Sequence, residues 1–591
     1  MSNYKKAIKY HKDGDITNAI KFYNLSYNEG DRFPILYQNF GALLRSQGDF
    51  DNAEKVYKKG LKLYPNNLSI LLNLGNLYQD HKPASAILCY SQLVKNKAKL
   101  DAFDLEFQRA ATSLISTLKS QGLTNAAANF TRNLIILVGP KPAFLVQLVQ
   151  VVDSFNYESS NISKESFTNS IYGYLDTVSS SLDLEDCLEL SISLASLKAN
   201  SGFLEEALEL YKKGLKFVDP SDNLRGDGFS LSAKSIALLD VLNWNYANLA
   251  LRCKDLSKGW TLFDYGLRVP ATGRQRWQRA LFKPFSSNVL PLWNGQPLAD
   301  KRLLILEEQA VGDVMMFMTI IGNLLQELDS GHISVCLNSR LYPIYKRSYD
   351  SDIESGRLRI FQPNDFLIDP KLSASDFDYQ IPLGSIPQFR LNDADKVQLN
   401  LNNQRRLSVC SDLRTSLSQR INASPNQMVL GISWRGGAGK DRVNEKSVDF
   451  DLFTSLLQAF PDIKFLNLQY GDCSSVIAKW QQLGIDVASF TDINPLTNMD
   501  DWLCLVDCCD SVLSVANTTI HGAASLRKST MCLLSKKPDW RWVDDRSITR
   551  SYWYPTVSVA RQCMNGSWKS AINLASSWIS EGCRLPSGPV F

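Results

Sequence analysis

A period of 34 residues governs the start of this chain. Gly41 and Gly75 lie that far apart, and so do Tyr23 and Tyr57, Ala19 and Ala53, and Gly14 and Gly48. A unit this short cannot bury an apolar face alone, so recurring units must stack into an array that shares one continuous core. Within a unit, the small residues let two helices approach closely, and the aromatic and leucine positions fill the space between them. Pro65 ends the second helix of its unit, because it cannot donate the next hydrogen bond.

Residues 37–67 carry the pattern at almost every position, and it resembles the tetratricopeptide repeat. In the next unit Leu71, Leu74, Gly75 and Tyr78 fit, but Ala86 and Tyr90 arrive one residue early. The pattern returns at Gly202-Phe203-Leu204-Glu205-Glu206-Ala207, Tyr211, Gly214 and Pro220, then in a divergent copy with Trp244, Ala247, Gly259, Phe263 and Gly266. Between them, residues 102–188 keep a helical pattern but drift, and serine-rich patches at 159–163 and 179–181 read as loops between helices. The expectation is repeats over 1–100, degenerate helical pairs over 101–188 and further repeats over 189–270. Such an array offers a long concave surface rather than chemistry, which predicts a protein or peptide partner. A purely structural or dimerising arm is the alternative, and a homo-oligomer is compatible with either.

After about residue 284 the period changes. Short apolar runs at 301–307, 332–337, 358–361 and 379–383 read as strands, with an apolar helix over 314–328. A polar stretch, 392–425, reads as less ordered. A second unit then alternates strands over 428–434, 463–469, 487–490, 511–515 and 530–534 with helices over 451–460, 474–483, 499–509 and 518–526. This alternation predicts parallel, doubly wound sheets. The fold class expected is an α-helical solenoid followed by a two-lobed α/β domain, with a short first lobe over 285–425 and a second over 426–591. Ligands in such sheets lie beyond the carboxyl ends of the strands.

Bulk composition narrows the classes of function. The 591 residues carry 64 Lys and Arg against 60 Asp and Glu, a net charge of +4, which gives no concentrated basic face for a nucleic acid. The twelve cysteines lack framework spacing. Cys504, Cys508 and Cys509 cluster in an apolar helical run, and none of the four histidines lies near them, so free thiols in a reducing compartment are expected rather than zinc. Met1-Ser2-Asn3-Tyr4-Lys5-Lys6 leads into an amphipathic helix with no signal-peptide core. The most apolar stretch, 134–152, is interrupted by Pro140, Lys141 and Pro142, short of the ~20 apolar residues a membrane span needs. A soluble cytoplasmic protein is expected.

The second half carries a series of motifs in a fixed order. They are Trp293-Asn294-Gly295-Gln296-Pro297-Leu298, Glu308-Gln309-Ala310-Val311-Gly312-Asp313, Gly431-Ile432-Ser433-Trp434-Arg435-Gly436, Lys446-Ser447 and Asn517-Thr518-Thr519-Ile520-His521-Gly522-Ala523. Asp539-Trp540-Arg541-Trp542, Ser551-Tyr552-Trp553-Tyr554-Pro555 and Arg561-Gln562 follow. Together they resemble the GT-B glycosyltransferases, closest to the ADP-heptose–lipopolysaccharide heptosyltransferase family. The whole plan is similar to bacterial proteins in which tetratricopeptide repeats precede such a domain, and to the O-GlcNAc transferase family. This chain departs from the pattern at Ala516, where Asp is common, and at Arg527-Lys528-Ser529, where Gly-Lys-Pro is common.

The resemblance implies a metal-independent, inverting transfer from a nucleotide-sugar co-substrate, without a resident cofactor. It makes Asp313 the general base; a helix-dipole carboxylate is the bland alternative. Donor contacts are implied for Gly312, Trp434, Arg435, Lys446, Gln469, Asn517, Thr518, Thr519, His521 and Gly522. Independently of resemblance, Thr518, Thr519 and Gly522 open a helix directly after a strand, where free N–H groups suit a diphosphate and simple N-capping is the competing role. His521 is a phosphate or ribose contact or a buried structural histidine. Lys446 neutralises a leaving phosphate or is simply solvated. Trp540, Trp542, Trp553 and Tyr554 are read as packing. The competing function is a protein-binding scaffold with a degenerate transferase-like domain.

Overall fold

The computed structural model describes residues 2–79, 81–98, 104–138, 144, 184–216, 218, 231–269, 279, 283–368, 372–436 and 443–585. The serine-rich patches at 159–163 and 179–181, Pro220, most of the drifting stretch 139–183 and the loop 437–442 lie outside the described residues. The chain divides into two compact units, residues 1–238 and 239–591.

The first unit is a row of antiparallel helical pairs: α1 (Asn3–Lys12) with α2 (Ile16–Asn28), α3 (Pro34–Ser46) with α4 (Phe50–Leu63), and α5 (Leu68–Tyr78) with α6 (Pro83–Ala98). After these come α7 (Leu105–Ser120) with α8 (Thr124–Val138) and α9 (Leu184–Asn200) with α10 (Leu204–Lys216). The turn between partners is written in two residues. Gly48 takes φ +79°, which glycine adopts without strain, and Asp49 then caps α4 by accepting from the backbone N–H of Asn52. Gly14 and Asp15 do the same one period earlier.

Close approach within each pair depends on missing side chains. A Cβ on Gly41 would lie 2.4 Å from the Tyr57 ring, and one on Gly60 would lie 2.7 Å from Tyr37. Tyr90, one residue early by the period, still seats on Gly75, where a Cβ would meet its ring at 2.7 Å. By the period α5 ends two residues sooner than α3 and α6 begins one residue sooner than α4, so the whole of α6 is shifted by that one residue and Tyr90 keeps its place. Tyr23, Tyr37, Tyr57 and Tyr90 join a single apolar core that runs from Ala7 to Leu197.

The second unit opens with the divergent pair, α11 (Ala233–Arg252) and α12 (Leu256–Phe263); Leu239 onward in α11 belongs to it. Its packing glycine is Gly266, where a Cβ would lie 2.6 Å from the Trp244 ring. The first α/β lobe contains β1 (Arg302–Leu306), α13 (Val311–Phe317), β2 (His332–Cys336), β3 (Leu358–Phe361) and β4 (Tyr379–Pro382). These strands form a parallel sheet of order β3-β2-β1-β4.

The second lobe contains β5 (Val429–Ser433), α14 (Phe450–Gln458), β6 (Lys464–Asn467), α15 (Ser474–Gln482), β7 (Val487–Ala488) and α16 (Met499–Asp507). It continues through β8 (Ser511–Val515), α17 (Thr518–Ser525), β9 (Ser529–Leu534), β10 (Val557–Arg561) and α18 (Lys569–Ser580). Its parallel sheet has the order β10-β9-β8-β5-β6-β7. Both faces are covered: Leu430, Ile432 and Leu513 point into one apolar cluster, Val429, Leu466 and Val512 into the other.

Three sequence expectations change. The apolar helix over 314–328 is broken, since α13 ends at Phe317 and a 3-10 turn, Met318–Ile320, separates it from the helix Ile321–Gln326. The stretch 392–425 contains two helices, Ala394–Asn403 and Ser411–Ile421, whose sparse apolar residues Val397, Leu401, Leu417 and Ile421 are buried. The strand ending at Leu534 is not the last, because β10 adds an edge strand whose backbone pairs with β9. Among the described residues no helix is long and apolar enough to cross a membrane.

Because Tyr57 occupies the space a Cβ would need, Gly41→Ala should destabilise the first unit by about 1–3 kcal/mol, the usual cost of overpacking. Urea unfolding followed by far-UV circular dichroism measures this.

Candidate functional site

The strand order of the second sheet reverses between β8 and β5, and such a reversal opens a crevice at the carboxyl ends of the strands. Side chains stitch that edge together. Asn517 caps α17 by accepting from the backbone N–H of Thr519 (2.9 Å). Its amide donates to Ser433 Oγ (2.8 Å) and to the carbonyl of Arg435 (3.3 Å). Ser433 donates in turn to Gln469 Oε1 (3.0 Å), which also accepts from the backbone N–H of Arg435 (2.8 Å). The ends of β5, β6 and β8 are thereby held as one polar rim. The Arg435 guanidinium reaches the carbonyl of Tyr470 at 3.2 Å. Beyond it lies a cavity of about 540 Å³, lined by Gln469, Tyr470, Cys473, Phe490, Asn494 and Trp502, among others.

The first lobe meets this edge through α13. A Cβ on Gly312 would lie 2.9 Å from the His521 ring and 3.5 Å from Thr518 Oγ1, so the absent side chain brings the two helix starts together. One residue on, Asp313 is buried, 5% exposed, and forms an ion pair with Nε of Arg541. Arg541 also pairs with Asp539 (3.3 Å), and Lys446 lies 3.6 Å from the same carboxylate. The Arg541 guanidinium stacks 4.3 Å over the ring of Trp540.

Burial alone would raise the Asp539 carboxyl, but Arg541 and Lys446 outweigh it and hold it well below the usual carboxylate range. Burial would likewise lower Arg541, yet Asp313 and Asp539 raise it, so the guanidinium stays charged. His521 shares a hydrogen bond of 2.8 Å with the buried Tyr554 hydroxyl. Burial pushes its pKa down to about 4, against the opposing pull of Asp313, so the imidazole is neutral near pH 7.

The sequence candidates therefore fall into three groups. Gly312, Asp313, Thr518 and His521 meet where the lobes touch, and Lys446 joins them through Asp539 and Arg541. Arg435, Gln469, Asn517 and Thr519 form the polar rim of the second sheet. Trp434 and Gly522 stand apart. Trp434 packs on Trp480 (4.6 Å) inside the apolar core, and Gly522 makes room for Trp502, whose ring a Cβ would meet at 2.6 Å.

Sequence reasoning did not assign Arg541, Asp539 or Tyr554 to the site. The signal was present in Asp539-Trp540-Arg541-Trp542, where two charges alternate with two tryptophans whose packing would bury them. Charges carried into a core need partners. The tryptophans do pack: Trp540 and Trp553 contact Trp260 of α12 and Phe317 of α13 at centroid distances of 5.7–5.9 Å.

Comparison with known proteins gives three kinds of likeness. Residues 41–82 match the family model described as TPR repeat. Protein FlbA of Caulobacter vibrioides is 24% identical over 401 residues, 67% of this chain and 63% of FlbA. The chain thus spans under two thirds of the length of that curated relative. A glycosyl transferase of family 9 from Veillonella parvula superposes with a TM-score of 0.33 at 12% identity, over 49% of this chain and 100% of that one. The ADP-heptose lps heptosyltransferase II of E. coli gives 0.32 at 13%, over 48% and 96%.

Two outcomes follow from the buried charges. His521 has a folded pKa of about 4 against 6.5 unfolded, so the unfolded chain binds the extra proton between those values. Stability contributed by the neutral ring is complete above pH 6.5 and is lost as pH falls to 4, by up to roughly 3 kcal/mol. His521→Gln should remove that part of the slope in urea titrations across this range. Arg541→Met leaves two carboxylates without their shared cation and should cost about 3–5 kcal/mol in the same assay at pH 7.

Proposed function

We propose that the second unit is a glycosyltransferase that moves a sugar from a nucleotide-sugar onto an acceptor, with the repeats of the first unit recruiting a protein as that acceptor. The observation that carries this reading is the meeting of Asp313 with Arg541 and His521 at the strand ends of two parallel sheets, beside a cavity large enough for a nucleoside. The cavity takes the base and ribose, the start of α17 at Asn517, Thr518 and Thr519 takes the diphosphate, and the sugar extends toward Asp313.

In the reaction, an acceptor oxygen attacks the anomeric carbon from the face opposite the diphosphate. The new C–O bond forms as the bond to phosphate oxygen breaks, and configuration inverts. The nucleoside diphosphate leaves with the electron pair, and the proton passes to the Asp313 carboxylate. Arg541 and Lys446 offset the charge that develops on the leaving group. The ion pair couples the two events: diphosphate competes with Asp313 for the Arg541 guanidinium, so the carboxylate is released toward the acceptor hydroxyl only with donor in place. A reducing, cytoplasmic setting suits a chain whose described cysteines form no disulfide.

One observation favours the scaffold reading instead: Asp313 is buried and already paired, as a structural carboxylate would be. Thermal unfolding against UDP-, GDP- and ADP-sugars separates the two. A donor at a hundredfold excess over its Kd should stabilise the native state by about 2.7 kcal/mol. Asp313→Asn should keep that shift and lose at least ~100-fold in nucleotide release, the scale of a general base. Absence of a shift with all three donor classes, or unaltered release in Asp313→Asn, defeats the assignment.

A further inference from the structure

Gln309 stands four residues before Asp313, in the turn that leads from β1 into α13. Its backbone has φ +67°, a left-handed conformation that glutamine rarely adopts. Lys254, Asn422, Arg527 and Cys583 share that conformation just past a helix end, where the chain has to reverse, and Asn426 shares it in a turn before β5, where asparagine is well tolerated. Gln309 instead follows a strand and precedes a helix. Strain of this kind persists only where the surroundings over-determine it.

Here both neighbours are pinned. Glu308 is buried, ion-paired with Arg279 and accepting from the backbone N–H of Gly384 (2.7 Å). On the other side, the peptide N–H of Ala310 donates to Asp313 Oδ2 at 3.4 Å. The Gln309 conformation thus sets the peptide plane that Asp313 holds.

A second observation is independent of the backbone. The side-chain nitrogen of Gln309 is buried and finds no hydrogen-bond partner among the described residues. Buried amide donors are almost always satisfied, so an orphan in a strained turn tied to Asp313 calls for an occupant. An amide N–H donates, so its match is an oxygen acceptor rather than a cation, and its place away from the α17 start assigned to the diphosphate favours a hydroxyl oxygen. The turn belongs to the first lobe, while the cavity and polar rim belong to the second.

We propose that the Gln309 amide is a substrate contact: it donates a hydrogen bond to a hydroxyl oxygen at the end of the bound substrates away from the nucleotide. The source is the transferred sugar or the attacking acceptor. The strained turn holds the donor in place before that oxygen arrives, beside the carboxylate assigned to receive the proton. This inference rests on the glycosyl-transfer reading and names a further residue for it.

The test uses the full chain, with Gln309→Gly and Gln309→Asn. Glycine accepts the left-handed backbone and removes the amide; asparagine tolerates the backbone and carries a shorter amide. Wild-type protein is first titrated with UDP, GDP, ADP and their sugars; binding of none of them defeats the glycosyl-transfer reading itself, and this inference with it. Given a binding donor, both variants should keep nucleoside diphosphate affinity within about twofold while losing about fivefold or more in one further quantity, the scale of one neutral hydrogen bond. A loss in nucleotide-sugar affinity assigns the oxygen to the sugar. A loss in nucleotide release at unchanged donor affinity assigns it to the acceptor, or to the water that replaces it. The ligand-free Tm of Gln309→Gly should equal or exceed that of wild type. The inference is overturned if sugar affinity and release both stay within twofold. It is overturned equally if diphosphate affinity falls in parallel, or if both variants simply lose Tm with all ratios unmoved, since each marks a structural amide.

Discussion

The buried pair of Asp313 and Arg541 is the constraint on which the rest of the second unit depends. Its two charges come from different lobes, 228 residues apart in sequence, and neither can be left alone in a dry interface. The fold answers with a cluster instead of a pair. Asp539 gives Arg541 a second carboxylate, Lys446 gives Asp539 a second cation, and the Trp540 face covers the guanidinium. A displaced lobe would strand several charges at once. The relative placement of the two sheets is therefore set at the point where their strand ends face one another.

Apolar packing reinforces that placement from one side. Trp260 and Phe263 of the divergent helical pair touch Phe317 from the first lobe and Trp540 from the second. The pair is thus an integral part of the second unit. A further ionic tie, Arg252 to Asp544 at 2.7 Å, joins α11 to the loop after Trp542. In the repeats of the first unit, close packing does the same work without charge, since Gly41, Gly60 and Gly75 are each matched by a tyrosine that fills the space of the missing side chain.

Legibility in the sequence followed the range of the interaction involved. The helical pairs were readable because their signals are local and periodic: Gly48 and Asp49 shape one turn, and Gly41 seats Tyr57 sixteen residues later. Most strands of both sheets were readable as short apolar runs, because parallel strands are buried on both faces. The helices 394–403 and 411–421 were not, since few apolar positions suffice where only one face is covered, and β10 was not, since buried Ser558 and Ala560 interrupt its apolar run. Trp434 and Gly522 came into the candidate set with their motifs. Only the packing of Trp480 and Trp502 against them shows that these two positions build the lobe.

By itself the sequence determined the two architectures, the change of period near residue 284 and the turns that carry Gly312, Asp313, Asn517 and His521. These depend on neighbours within one or two elements, and periodicity and capping chemistry encode such neighbours directly. The tertiary structure alone decided that Asp313 faces Arg541, that His521 is neutral against Tyr554, and that the Gln309 amide nitrogen meets no partner among the described residues. Each of these is a matter of burial and of charges brought together from distant parts of the chain. A sequence lists the groups, but desolvation and Coulomb energy act only once the fold has fixed their distances.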